Sequence, residues 1–331
     1  MHRLGEIALI SNFLAPLATH PGAFALKDDA ALLTGISASG LVVTADALVA
    51  GVHFFEEDNP ADVAFKALAV NISDLASKGA APQAYTLTLA LTEAPTEAWA
   101  RDFASGLRQA QERFLIALIG GDTVSTGGPW WLSITAFGEA SSRGLVPRGA
   151  ARPGDYLYVS GTLGDAALGL QLRLDAASFA DALTSTERDF LLERYLHPQP
   201  RLALAPVLAA EARAAMDISD GLALDLSRMC AASKVSAQVM IGDIPLSAAA
   251  KCAVDAKSGI IETIVTGGDD YEILAAVPAD RGSAFEAASR DAGVKVTRIG
   301  RVQEGEGQPK FLGADGSPLS FKCSGFEHFK R

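Results

Sequence analysis

Residues 117–123 read Ala-Leu-Ile-Gly-Gly-Asp-Thr, and this stretch carries most of the fold prediction. The apolar residues up to Ile119 predict a buried strand. Gly120 and Gly121 then remove side chains at a point where another backbone or a phosphate could come close. Asp122 follows at a predicted strand end, which is where open α/β sheets place their binding sites.

The same pattern recurs at residues 265–270, which read Val-Thr-Gly-Gly-Asp-Asp. An Ile-Ser-Asp triplet precedes each copy, at residues 72–74 and 218–220. The Ile-Ser-Asp and Gly-Gly-Asp aspartates are 48 positions apart in the first half and 49 in the second. Two interpretations stay open: a true internal repeat, or a chance recurrence of short motifs.

The length and composition of the chain indicate its number of domains and its fold class. A chain of 331 residues predicts two domains, and 49% hydrophobic content is enough to fill a large core. The Arg-, Gly- and Pro-rich segment 141–155 predicts the boundary, so we expect domains at 1–146 and 147–331. Strands alternate with helices on both sides of it, which predicts an α/β (α+β) protein.

The net charge of −11 argues against a nucleic-acid partner, because such a partner needs a basic face. An acidic protein that binds a phosphate ester needs cations between itself and the ligand. No apolar run reaches about 18 residues, so no membrane span is expected, and no signal peptide is expected either. The three cysteines form no CxxC pair, which favours a reducing cytoplasm and argues against zinc.

Individual elements give further expectations. Residues 114–119 and 261–265 are predicted as strands, and a helix is predicted from Leu222, capped by Ser219 and Asp220. Residues 30–33 form another predicted strand, and Ala314, Asp315 and Gly316 predict a hairpin turn.

Carboxylates cluster at predicted element ends. A single Asp at such a place is usually an N-cap or turn residue, but nine of them share the pattern: Asp28, Asp29, Asp46, Asp74, Asp122, Asp217, Asp220, Asp269 and Asp270. Two carboxylates about 4 Å apart repel by roughly 4 kcal/mol at an effective dielectric of 20. Several together need a cation, and an all-oxygen donor set selects Mg²⁺. Such ions most often serve a nucleotide triphosphate, so we expect these side chains to converge around Mg²⁺.

Other phosphate-binding signals are weak. No Walker A sequence occurs, and no GxGxxG follows a predicted strand. The loop at 161–165 could hold a phosphate at a helix N-terminus, or could be a plain strand-to-helix turn, which is the commoner case. Taken alone, His53 is better explained as a structural histidine, and Arg148 could face either a phosphate or solvent.

Eight blocks, in order along the whole chain, together resemble the thiamine-monophosphate kinase family. They are residues 5–10 (GEIALI), 28–30 (DDA), 46–54 (DALVAGVHF), 66–76 (KALAVNISDLA), 119–123 (IGGDT), 217–222 (DISDGL), 267–272 (GGDDYE) and 325–329 (GFEHF). The glycine–aspartate blocks are shared with a wider superfamily that includes aminoimidazole ribonucleotide synthetase, selenophosphate synthetase and a hydrogenase maturation factor. The 49–54, 267–272 and 325–329 blocks point to the kinases.

The resemblance implies a two-domain aminoimidazole ribonucleotide synthetase-like fold, with mixed sheets packed by helices in each domain. It implies a homodimer that transfers the γ-phosphoryl group of ATP to thiamine monophosphate, giving thiamine diphosphate, with several Mg²⁺ ions. At matching motif positions it implies that Asp29, Thr44, Ala45, Asp46, Asp74, Asp122, Asp217 and Asp220 bind Mg²⁺. It implies that Gly121, Asp122, Arg148 and Ser219 face ATP, and that His53, Asp269 and Phe326 contact thiamine monophosphate.

Three positions depart from the family pattern. Lys27 stands where a glycine is usual, so the local turn is in doubt. Ala45 replaces a hydroxyl residue and could offer a metal only its carbonyl oxygen. Asp269 replaces a longer Glu, so its reach to the substrate differs.

Two other functions stay open at this point. The first is another ATP-dependent enzyme of the superfamily, although a selenophosphate synthetase needs a reactive residue near its N-terminus and the first cysteine here is Cys230. The second is a nucleotide-binding regulator without turnover, which predicts a broken set of acidic residues. The set is intact in this sequence.

Overall fold

The computed structural model of the chain describes residues 6–20, 40–174, 179–257, 259–321 and 325–326. The chain divides into two compact units, residues 1–75 with 80–144 and residues 76–79 with 145–331. Each unit combines helices with a mixed sheet, which confirms the predicted α/β (α+β) class. Lys27, Asp29 and the strand predicted at 30–33 lie outside the described residues.

The first unit opens with a short helical segment and continues as a four-stranded sheet with two long helices. Its elements are α1 (Glu6–Leu9), a π-helical turn (Ile10–Leu14), a 3₁₀ turn (Ala15–Leu17), β1 (Leu41–Val49), α2 (Pro60–Ser77), β2 (Ala81–Leu91), α3 (Glu97–Phe114), β3 (Ala117–Ser125) and β4 (Trp131–Glu139). The end of α2 belongs to the second unit by its contacts.

The strand order of this sheet is β1-β4-β2-β3. Strands β1, β4 and β2 are antiparallel, and β3 runs parallel to β2. Alternate residues of β4 are buried, and a Cβ at Gly138 would lie 3.0 Å from Leu75 of α2, so this helix covers one face. The order leaves β1 and β3 as the two opposite edges of the sheet.

The deciding stretch 117–123 behaves differently from its prediction. The strand does not end at Ile119; β3 runs from Ala117 through both glycines to Ser125, with a bulge opposite Tyr85 and Thr86. A Cβ at Gly121 would lie 1.8 Å from the carbonyl oxygen of Leu87. The glycine is therefore needed because β2 and β3 approach closely there.

The second unit contains a seven-stranded sheet with helices on both faces. Its elements are β5 (Tyr156–Ser160), α4 (Asp165–Leu174), α5 (Ser185–Leu196), α6 (Ala205–Glu211), β6 (Ala214–Ile218), α7 (Leu222–Ser233), β7 (Ser236–Met240), α8 (Ala248–Ala256), α9 (Ile260–Thr266), β8 (Glu272–Val277), α10 (Gly282–Asp291), β9 (Val296–Gln303), β10 (Lys310–Leu312) and β11 (Pro318–Leu319). Short 3₁₀ turns lie at Ala180–Ala182, Leu202–Leu204, Ile241–Asp243 and Ala279–Arg281.

The strand order is β11-β10-β7-β9-β5-β8-β6, with β10 parallel to β7 and the other pairs antiparallel. Every residue of β8 is buried. Ile273 and Ala275 pack in one core cluster, with Phe285 of α10, whereas Leu274 and Ala276 pack in the other. Two-sided burial explains why this strand reads as a continuous apolar run rather than an alternating one.

One expectation from the sequence is wrong in this unit. Residues 260–266 form helix α9 and not a strand, because Ile260 and Ile264, one helical turn apart, both enter the core. Of the two open interpretations of the recurring motifs, the structure favours a chance recurrence over an internal repeat. Residues 72–74 are helical in α2 whereas the matching triplet follows strand β6, and the glycines of the first copy lie within β3 whereas those of the second follow α9.

Two further predictions concern element ends and turns. The helix before the deciding stretch continues to Phe114, so the strand begins only at Ala117. The hairpin turn predicted at 314–316 is present, with the amide of Gly316 donating to Gly313 between β10 and β11. Within the described ranges, none of the helices combines the length and the apolar character that crossing a membrane requires.

Helix α3 ends at an unusual residue, which gives a stability prediction. Leu115 has φ +54°, in the left-handed region, and its side chain is 82% exposed. Burial of the side chain therefore does not offset the strain of this backbone conformation. We expect Leu115→Gly to stabilise the protein by about 0.5–1 kcal/mol, because glycine adopts this conformation without the Cβ clash. A urea titration followed by circular dichroism measures the change.

Arg108→Gly is the matched control, since it places glycine at an exposed interior position of the same helix. It is expected to destabilise the protein by about 1 kcal/mol. Equal destabilisation by both variants would show that strain at Leu115 is negligible.

Candidate active site

In the first unit, three of the predicted metal residues lie together where β1 meets α2. Thr44 and Asp46 share the face of β1 that α2 covers, and the Thr44 hydroxyl donates a short hydrogen bond to Asp74 Oδ2. All three side chains are only partly buried. Ala45, between them, faces the opposite side of the sheet and is exposed.

A buried asparagine fixes this junction. Asn71 is fully buried, its Oδ1 accepts the Asp46 amide at 3.2 Å, and its Nδ2 donates to the Ala67 carbonyl at 3.0 Å. On the other side, the Ser133 hydroxyl donates to the Asp46 carbonyl at 3.1 Å. The backbone of Asp46 is therefore held from both α2 and β4.

His53 lies in a tight turn that follows β1. Its Nδ1 accepts the Val49 amide at 3.0 Å, and its own amide donates to the Val49 carbonyl at 3.0 Å. The neutral ring must then carry its proton on Nε2. The ammonium of Lys66, only 3% exposed, donates to the His53 carbonyl at 3.3 Å. No feature of the sequence predicts a role for Lys66, which here anchors the turn that carries the histidine.

Asp122 does not join the group formed by Thr44, Asp46 and Asp74. It is exposed on β3, in register with Thr88, and the Thr123 amide donates to its Oδ1 at 2.8 Å. Because β1 and β3 are opposite edges, three strand spacings, about 14 Å, separate Asp46 from Asp122 within one chain. The predicted convergence of these carboxylates therefore does not occur within one copy of the sheet.

The described residues contain no larger cluster of acidic side chains. Among them, no set of three or more His, Cys, Asp or Glu side chains lies close enough to hold an ion. What the first unit offers is a smaller oxygen-only set, two carboxylates and one hydroxyl. That set suits Mg²⁺, which usually takes one or two carboxylates and fills its remaining positions with water and phosphate oxygens.

In the second unit, predicted site residues gather around the segment 218–220 at the end of β6. The Asp269 amide donates to the Ser219 carbonyl at 2.8 Å, and the Tyr271 amide donates to the Ile218 carbonyl at 2.8 Å. The Phe326 amide donates to the Asp220 carbonyl at 3.1 Å. Backbone hydrogen bonds thus bring Ser219, Asp220, Asp269 and Phe326 into one neighbourhood.

A buried carboxylate that the sequence analysis missed also holds this segment. Asp225 is fully buried, and its Oδ2 accepts the amides of Ser219 at 3.0 Å and of Asp220 at 2.9 Å. Ser219 and Asp220 do not cap α7 with their side chains, as had been predicted; Gly221 is the N-cap residue. An acidic residue in the first turn of a helix is the sequence signal that could have indicated Asp225.

Arginine supplies positive charge at the same place. Arg228 donates to both Asp220 Oδ2 and Asp225 Oδ1. The pKa of Asp225 is raised to about 6, chiefly by burial and also by the negative charge of Asp220, although the amide of Asp220 and the guanidinium of Arg228 act to lower it. The carboxyl of Asp220 is therefore already paired with a cation in this structure.

Two other predicted residues of this unit lie outside the segment 218–220. Asp217 is 7% exposed within β6, in register with Ile273. Arg148 is exposed, and its carbonyl accepts the Ser233 hydroxyl at the far end of α7. At 1.5 Å per residue, that end lies about 18 Å from the start of α7, so the Arg148 backbone is not adjacent to Ser219.

The turn at 161–165 is a structural turn. The amides of Gly161, Leu163 and Gly164 donate to Lys295, Pro245 and Asp270, respectively, so they are already used within the protein. Close by, the fully buried Glu272 accepts hydrogen bonds from Arg194 at 2.9 Å and from Arg201 at 2.7 Å. The plain strand-to-helix interpretation of this loop is therefore the right one.

Comparisons with known proteins identify the family of the chain. Residues 27–140 match the family model described as AIR synthase related protein, N-terminal domain, and residues 152–309 match its C-terminal domain. The thiamine-monophosphate kinase of Caulobacter vibrioides is 40% identical over 318 residues, which cover 95% of this chain and 88% of that protein.

Solved structures give the same answer. The thiamine-monophosphate kinase of Stenotrophomonas maltophilia K279a superposes with a TM-score of 0.82 at 38% identity, covering 96% of this chain and 100% of that one. The structure of AaThiL complexed with AMPPCP and TMP superposes with a TM-score of 0.77 at 31% identity, covering 99% of both chains. The chain described here therefore belongs to the thiamine-monophosphate kinase family, within the AIR synthase related fold, and is an enzyme.

Proposed function

We propose that this enzyme transfers the γ-phosphoryl group of ATP directly, in line, to thiamine monophosphate, giving thiamine diphosphate. Near-full-length similarity to thiamine-monophosphate kinases carries the proposal, together with a similar protein that is complexed with AMPPCP and TMP. The Thr44, Asp46 and Asp74 group and the segment 218–220 are the two described parts that fit this chemistry.

Mg²⁺ is the cation that the donor set favours. The proposed ligands are Asp29, Thr44, the carbonyl of Ala45, Asp46, Asp74, Asp122, Asp217 and Asp220. Bound Mg²⁺ would neutralise phosphate charge that an enzyme of net charge −11 would otherwise repel. Asn71 supports such binding by fixing the backbone between Thr44 and Asp46.

The remaining residues orient the two substrates. The Nε2 proton of His53 is suited to donation to a phosphate oxygen, since Nδ1 is held by the Val49 amide. The Asp269 carboxylate is suited to the cationic thiazolium ring, and the 42% exposed Phe326 offers it an aromatic face. Gly121, Asp122, Arg148 and Ser219 are the residues we assign to ATP.

The chain needs no strong general base for this reaction. The acceptor is a phosphate oxygen that is already anionic, so catalysis depends on bringing the two phosphates together in line and on balancing their charge. We therefore assign no residue an acid or base role. Holding the acceptor phosphate and the nucleotide in fixed positions is the work that the protein itself does.

We further propose a homodimer in which the site is shared. Asp46 and Asp122 lie on opposite edge strands, so one chain cannot bring both to the same ion. A second copy that places its β3 edge beside the first copy's β1 edge would supply the missing carboxylate. The open face of the sheet, with the exposed Val43 and Ala45, is the surface available for such packing.

The cytoplasm is the proposed location, because ATP is supplied there. Cys230 and Cys252, the cysteines among the described residues, are both free thiols, as a reducing compartment allows. Neither a nucleic acid nor a membrane is proposed as a partner.

A coupled assay with ATP, Mg²⁺ and thiamine monophosphate tests the activity. We expect formation of thiamine diphosphate together with an equal amount of ADP, and none when Mg²⁺ is chelated. ATP hydrolysis without diphosphate formation would instead assign the chain to another ATP-dependent reaction of the superfamily.

Asp122→Asn is expected to lower kcat by at least about 100-fold, because the variant loses a carboxylate proposed to hold the Mg²⁺ that balances negative charge in the transition state. Asp46→Asn should have a similar effect. Near-normal turnover in the Asp122 variant would remove this residue from the proposed metal site.

Mixing the two inactive variants tests whether the site is shared. After co-refolding of equal amounts, random pairing gives each mixed dimer one intact site, so about a quarter of wild-type activity should return. The matched control mixes Asp122→Asn with Asp122→Ala, which leaves no intact site and should stay inactive. No recovery in the first mixture would show that both residues act within one chain.

Asp269→Ala should raise the KM for thiamine monophosphate by at least about tenfold with a smaller change in kcat, since a charge contact made equally before and during reaction affects binding. The exposed Asp280→Ala is the matched control and should leave both constants unchanged. A change confined to the KM for ATP would mean that Asp269 lies near the nucleotide instead.

A further inference from the structure

The turn 267–271, which carries Asp269, has an unusual backbone. Asp269 has φ +72° and Tyr271 has φ +50°, so two non-glycine residues on either side of Asp270 are in the left-handed region. Among the described residues, the other non-glycine cases are Leu115 and Lys234, which follow helix C-termini where this conformation is common. Two such residues within one turn persist only if the surroundings hold them.

One side of the turn is held by the end of β6. The amides of Asp269 and Tyr271 donate to the carbonyls of Ser219 and Ile218, as described above. A Cβ at Gly268 would lie 2.4 Å from the Ser219 carbonyl oxygen, so the turn lies directly against that backbone. These contacts fix Asp269 and Tyr271, but they do not involve Asp270, which lies between the two.

Asp270 holds the other side. It is 2% exposed, and its Oδ2 accepts the Gly164 amide at 2.7 Å. Gly164 has φ +82°, and a Cβ there would lie 2.6 Å from the Ile264 side chain of α9, the helix that leads into the turn. Asp270 thus ties the segment after α9 to the segment before α4.

This placement is costly for stability. The second carboxyl oxygen of Asp270, Oδ1, is buried and has no hydrogen-bond partner within the part of the chain that the structure describes. Burial raises the pKa of Asp270 well above its usual value, the Gly164 amide opposes this, and the nearby Asp165 charge raises it further. An apolar side chain would cost less free energy of folding at such a position. The benefit of a carboxyl group here must therefore come from the Gly164 amide that its Oδ2 accepts.

We propose that Asp270 is a positioning residue for the substrate carboxylate Asp269: its hydrogen bond to Gly164 fixes the strained turn and so the direction of the neighbouring side chain. The inference rests on the proposed function for the role of Asp269. Asp270 itself is buried and does not contact substrate.

Two substitutions separate the hydrogen bond from the bulk and the charge. Asp270→Asn keeps an oxygen acceptor for the Gly164 amide, whereas Asp270→Leu keeps the volume without an acceptor. We expect Asp270→Leu to raise the KM for thiamine monophosphate at least about tenfold, with kcat and the KM for ATP within about threefold of wild type. Asp270→Asn should restore the KM for thiamine monophosphate to within about threefold.

Asp155→Ala is the matched control, because Asp155 is a buried carboxylate of the same unit that bonds to Arg152 and Arg213 and not to the turn. It should lower the unfolding temperature while leaving the KM for thiamine monophosphate unchanged. If Asp270→Leu does not fold, Asp270→Ala gives the same comparison with a cavity in place of the bulk.

Amide hydrogen exchange without substrates gives a readout that does not depend on the reaction. The Asp269 and Tyr271 amides should exchange at least about tenfold faster in Asp270→Leu than in wild type or Asp270→Asn, while amides of β8 stay protected. If wild type fails to phosphorylate thiamine monophosphate, the proposed function fails but this comparison still tests the positioning. Wild-type exchange and KM in Asp270→Leu, or equal defects in Asp270→Asn, would overturn the inference.

Discussion

The candidate site of the second unit depends on one short piece of backbone, the segment 218–220 at the end of β6. Its carbonyls accept the amides of Asp269, Tyr271 and Phe326, and its own amides donate to Asp225. Main-chain bonds of this kind place a side chain through the fold and leave its charge available for a ligand. Strand β6 is short and its sequence is ordinary, yet three of the predicted substrate contacts of this unit, Ser219, Asp269 and Phe326, are placed by the segment at its end.

The fold class and the residues around 44–74 were predictable because their signals are local. Asn59-Pro60 marks the start of α2, and Thr44, Asp46 and Asp74 come together through one strand and one helix that are neighbours in sequence. The short apolar run 260–266 was not predictable, because periodicity over seven residues cannot separate a buried helix from a strand. The core contacts of Ile260 and Ile264 favour the helix over the strand.

The strand order of the first sheet is a second feature that could not be predicted from the sequence. Motif spacing along the chain suggested that Asp46 and Asp122 converge, but only the order β1-β4-β2-β3 reveals that they occupy opposite edges. Gly121 was ambiguous for a related reason. A glycine that admits a neighbouring strand and a glycine that admits a phosphate look alike in sequence, and here the Leu87 carbonyl lies where its Cβ would be.

The arginine that donates to Asp220 and Asp225 has a consequence for the folding of the enzyme without bound ions. Clustered carboxylates repel, yet Arg228 already donates to both members of this pair, and Arg194 and Arg201 donate to Glu272. The second unit can therefore complete its folding before any divalent ion arrives. If Asp220 binds Mg²⁺ as proposed, the ion must compete with a guanidinium built into the chain, so its apparent affinity would be the difference between two electrostatic attractions.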